Sequence, residues 1–81
     1  MSELAPCKVI EHEHTWLFVC ANRHALAAVI TYCRGAKGRS HGASSVWMVS
    51  YWEDPDNGFT RLPAVIIREQ RLAFELMLSF T

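Results

Sequence analysis

The chain has no apolar run near the roughly twenty residues of a membrane-spanning helix, and no Cys-x-x-Cys pair. The first absence excludes a helical membrane span. Net charge is absent too, with eight basic side chains against eight acidic ones. A general nucleic-acid or anionic-membrane binder draws its affinity from a basic surface, so neither class fits. Prolines number three and glycines four, too few for a linker-rich chain, and there is no internal repeat or low-complexity tract. The opening residues lack the basic start and apolar stretch of a secretory signal, so a cytoplasmic location is expected.

Three cysteines, Cys7, Cys20 and Cys33, stand thirteen residues apart. An odd number without close pairs argues against a disulfide scaffold and predicts small buried hydrophobes instead. What the chain does have is apolar residues, 51% of 81. That is enough for one domain spanning 1–81. A domain of this size buries only about 60–65% of the surface its unfolded form exposes. At about 0.05–0.15 kcal/mol per residue its stability is about 4–12 kcal/mol, so self-association would contribute a large share.

Periodicity divides the chain into elements. Side chains alternate over 8–20, with Ile10, His12, His14, Trp16, Phe18 and Cys20 on one face and Val9, Glu11, Glu13, Thr15, Leu17 and Val19 on the other. One strand is expected there, its second half apolar on both faces and so central in a sheet. Asn22 fits a helix N-cap, with Leu26, Val29, Ile30 and Cys33 as one stripe and Gly35 as the terminator, predicting a helix over 23–34. Residues 35–45 have a loop composition. Val46 to Trp52 read as a strand, and Asp54-Pro55-Asp56-Asn57-Gly58 as a turn into a short second arm over 59–62.

Residues 63–80 read as one helix, with Pro63 in its first turn. Leu62, Val65, Ile66, Leu72, Ala73, Leu76, Met77 and Phe80 make its main stripe. Ile67, Phe74 and Leu78 make a second ridge, roughly 150° away when each residue turns about 100°. Over 71–80 strict alternation offers a strand as the rival. Strong helix formers and an Arg71–Glu75 spacing of one turn favour helix. The expected architecture is an α+β single domain, β-α-β-β-α, with an antiparallel sheet and both helices on one face.

Chemistry-bearing residues are sparse. His12 and His14 on one strand face would reach a single zinc, nickel or copper ion, with Cys7 or His24 as a third ligand, but two histidines two residues apart are weak evidence for sites that use three or four ligands. No metal or other cofactor is expected. Arg34, Lys37, Arg39 and His41 gather basic charge in a glycine-containing loop that lacks the phosphate-loop pattern, an alternative anion or nucleic-acid surface. Cys20 and His24 are four apart, with no third group to orient them, so an enzyme is not expected.

Trp47, Tyr51 and Trp52, with Arg61 across the turn, combine large contact area with polar handles. The expected function is noncatalytic protein binding, most simply as a homodimer through the Ile67, Phe74 and Leu78 ridge or through Trp47, Tyr51, Trp52 and Arg61. A nucleic-acid-associated regulator is the second reading and a metal-binding module the third. In general character such a compact, motif-free domain resembles the small accessory inhibitors and anti-defence proteins of phages and other mobile elements. That resemblance implies a role in blocking a host protein or nucleoprotein complex.

Overall fold

The computed structural model describes residues 7–40 and 45–81. Their elements are β1 (Cys7–His12), β2 (Thr15–Cys20), α1 (Arg23–Lys37), β3 (Trp47–Asp54), a 3-10 turn (Pro55–Asn57), β4 (Thr60–Ile67) and α2 (Gln70–Phe80). The four strands form one antiparallel sheet in the order β1-β2-β4-β3. The α+β class is as expected, with one strand more than the sequence suggested.

That extra strand comes from a tight turn inside 8–20. Glu13 and His14 take φ values of 44° and 62°, and His12 stands opposite Thr15. Positive φ at both central residues is the geometry of the two-residue hairpin turn whose twist matches its strands. Asn-Gly would have announced it; Glu-His does not. The turn also exchanges the faces. Across an antiparallel pair, opposed residues point the same way, so Ile10 shares a face with Leu17, and Val9 with Phe18. Reading 8–20 as one strand had grouped Ile10 with Phe18.

The second correction is at Pro63, which belongs to β4 and stands opposite Tyr51 of β3. A proline in a central strand loses a ladder bond. Here the β2 ladder ends at the Val19–Ala64 pair, so at Pro63 the strand has a partner on its β3 side alone. Beyond it Val65, Ile66 and Ile67 are β-branched and suit a pleated surface. The helix therefore covers only Gln70–Phe80, where composition favours it over the alternating-strand reading.

Asn22 caps α1 as expected, its Oδ1 accepting from the Ala25 amide at 2.9 Å. The helix runs one turn further than its first glycine implied. Gly38, not Gly35, ends it, at φ 78° with its amide donating to the Arg34 carbonyl at 2.9 Å. The β3–β4 turn lies where the sequence places it: Asp54 accepts from the Asp56 amide at 3.0 Å, and Gly58 and Phe59 both take left-handed φ values, 65° and 58°.

Both helices pack on one sheet face. Trp16, Phe18, Cys20, Trp47, Val65 and Ile67 from the strands meet Ala25, Val29 and Cys33 of α1 and Leu72, Ala73 and Leu76 of α2 in one buried cluster. Tyr32 and Phe80 close one side of the helix pair edge-to-face, ring centroids 6.2 Å apart. Lys37 reaches Glu69 at 2.7 Å and ties the end of α1 to the start of α2.

Candidate functional site

Among the described residues no helix lies on the other sheet face. Strand register places Ile10, Leu17, Ile66 and Met48 side by side in one row across all four strands, each partly exposed. Lys8, Val19, Ala64 and Ser50 form the next row, followed by Leu62 and Trp52. These two rows behave differently. Val19 and Ala64 are buried although no helix lies above them. Lys8 extends from one edge strand until its Nζ lies 4.8 Å from the centre of the Trp52 ring on the opposite edge. Its aliphatic stem and the indole thus roof the strands between them, with the ammonium held over the ring face.

Half of this face is therefore closed by the chain's own side chains. The Ile10–Leu17–Ile66–Met48 half has no such roof and stays partly exposed. No charged side chain interrupts the bare row; Thr15 and His12 lie beyond it toward the hairpin turn. Beside the Lys8–Trp52 bridge lies a shallow cavity of about 130 Å³ that also touches Val19, Asp54 and Leu62. That is well below the roughly 300–1,000 Å³ of small-molecule sites.

The residues singled out by sequence scatter over the molecule. Ile67 is fully buried in β4 and cannot join an exposed ridge. Phe74 and Leu78 do project outward from α2, 50% and 89% exposed. The aromatic group divides. Trp47 is core, its Nε1 donating to the Gly38 carbonyl at 2.9 Å. Trp52 belongs to the roof of the open face. Tyr51 is 54% exposed on the helix side of β3, with the Arg61 guanidinium 4.3 Å from its ring centre. Trp47, Tyr51, Trp52 and Arg61 are thus not one hot spot.

In the basic segment Arg34 and Lys37 sit on the last turns of α1, and Arg39 follows the cap. Lys37 is already paired with Glu69. His41 lies outside the described residues. His14 is in the hairpin turn and His12 on β1, so the two do not share a strand face; His12 Nε2 approaches Glu13 instead, at 3.8 Å. Among the described residues no three His, Cys, Asp or Glu side chains converge as metal ligands would.

Cys20 does not form a thiolate pair with His24. It is buried against Cys7, and burial, reinforced by that neighbour, pushes its thiol up to about 12, the opposite of an activated nucleophile. The row on the open face went unread in the sequence because its members come from four strands. Only the hairpin parity and the β4 assignment align them. Comparison with protein-family models, curated proteins and solved structures finds no match to the chain.

Proposed function

We propose that the protein is a noncatalytic protein-binding module that pairs with a second copy of itself through the bare half of its open sheet face. The observation that carries this reading is the uninterrupted row Ile10, Leu17, Ile66 and Met48. Aliphatic side chains aligned on a sheet gain most from a second sheet stacked on them, about 10 Å away. The row is also suited to itself. A two-fold axis parallel to the strands lays β1 of one copy over β3 of the other, so that Ile10 meets Met48 and Leu17 meets Ile66, each contact made twice. The absence of charge in the row leaves nothing for a second copy to repel.

A nucleic-acid reading draws less support from the same face. Single strands are held on aromatic platforms edged with positive charge. Here the bare row is aliphatic, and Trp52 is occupied by Lys8. In the dimer the Phe74–Leu78 ridge stays exposed on the helix side. A small inhibitor of a host protein or defence complex is the biological setting in which such a free ridge would meet a second partner.

Sedimentation equilibrium of the full chain tests the assembly. A dimer is expected, converted to monomer by Leu17→Lys with an unchanged circular dichroism spectrum, and retained in Phe74→Asp. A monomeric wild type at every concentration would overturn the reading. Dissociation by Phe74→Asp but not by Leu17→Lys would move the interface to α2.

A further inference from the structure

The hairpin gives the cysteine spacing a meaning. Because His12 stands opposite Thr15, Cys7 stands opposite Cys20 at the far end of the same ladder. The Cys7 thiol is directed at Cys20 Sγ, 3.8 Å away, and both residues are buried. Opposed residues of an antiparallel pair have Cα atoms about 4.5–5.5 Å apart, within the roughly 4.4–6.8 Å that a disulfide bridges. Side-chain rotation alone has little left to do: the sulfurs must close from van der Waals contact to a bond of about 2.05 Å. Cys33 lies on α1 in the same core, and the three cysteines do not converge on a common point.

We infer that Cys7 and Cys20 are a dithiol–disulfide site, oxidised by peroxide, that fastens β1 to β2. Once the end of the ladder opens and Cys7 reaches water, its thiolate attacks a peroxide oxygen, breaking the O–O bond and leaving a sulfenic acid and a water molecule, while Cys20 stays a neutral thiol. The second thiol displaces the sulfenic hydroxyl as another water. Two thiols and one hydrogen peroxide thus give one disulfide and two waters, with two electrons passing from sulfur to oxygen. Access is through Cys7, the first residue of an edge strand, where opening the end of one ladder suffices to expose a sulfur. The bond then holds β1, and Ile10 with it, against the sheet. This site works within one chain, so it stands or falls independently of self-association.

The experiment treats the folded full chain with hydrogen peroxide, blocks remaining thiols in denaturant and maps the tryptic peptides. Cleavage after Lys8, Arg23 and Arg34 separates the three cysteines. Peptides 1–8 and 9–23 are expected to be joined, lighter by two hydrogen atoms, with Cys33 blocked on its own peptide. The melting temperature of the oxidised chain is expected to rise by about 5–20 °C, and dithiothreitol to reverse it. Cys33→Ser should leave the link between peptides 1–8 and 9–23 in place. Separate peptides with both cysteines blocked, a link through Cys33, a link between chains, or sulfinic acid in place of the bond would each overturn the inference.

Discussion

The two faces of the sheet are nearly equal in apolar character and opposite in fate. On one, Trp16, Phe18, Val65 and Ile67 disappear beneath two helices. On the other, Val19 and Ala64 are closed over by Lys8 and Trp52, while Ile10, Leu17, Ile66 and Met48 are left partly open. Hydrophobic residue content therefore does not distinguish the covered face from the open one here. A two-helix chain can cover one face of a four-stranded sheet, and the second apolar face is surplus that a partner can use. The roof over half of that surplus comes from one indole and one lysine stem, and it leaves a single row partly open.

The comparison can be broken most severely from the covered side. Phe18→Ala empties the centre of the core and should cost about 3–5 kcal/mol, a large part of the stability available to a domain of this size, read as a lower urea midpoint. Alkaline pH attacks the same side, because all three thiols lie there. Burial raises Cys20 to about 12 and Cys33 to about 11 from an ordinary 9.0, so the folded state favours the neutral thiols. Their contribution is complete below pH 9 and is lost as pH climbs through 11 to 12. Thermal melts across that range should fall, and fall less steeply in Cys33→Ala.

On the open side the effects shrink. Trp52→Ala removes the roof over Val19 and Ala64 and should cost about 1–3 kcal/mol in urea unfolding, with the chain still folded. Leu17→Lys should change the unfolding free energy of the monomer by no more than about 1 kcal/mol, because that side chain is already partly exposed. In the proposed dimer its effect is on assembly instead. A Leu17→Lys variant that lost as much stability as Phe18→Ala would erase the distinction between the faces.

Much of the fold was legible wherever a local signal carried it. Asn22 before an alanine-rich stripe and Pro55 with Asn57-Gly58 announced their cap and turn. Phe74 and Leu78 lie exposed on α2, whereas Ile67, grouped with them by helical spacing, is buried in β4. Two places misled for the same reason. Glu13-His14 carries none of the usual hairpin residues, and Pro63 suits a helix start better than a central strand. In each case tertiary pairing overrides a local preference. The candidate site was less legible still, since an error of parity at one turn moved Ile10 to the wrong face.

What the chain's own residues set locally is helix or strand period, the caps, the glycine turn, an α+β class and an excess of apolar side chains. Only the tertiary structure decided which apolar side chains were surplus, that Trp52 covers its own sheet while Trp47 is core, and that Cys7 meets Cys20. Those outcomes depend on strand order and register, which join residues far apart in the chain and which no local pattern specifies.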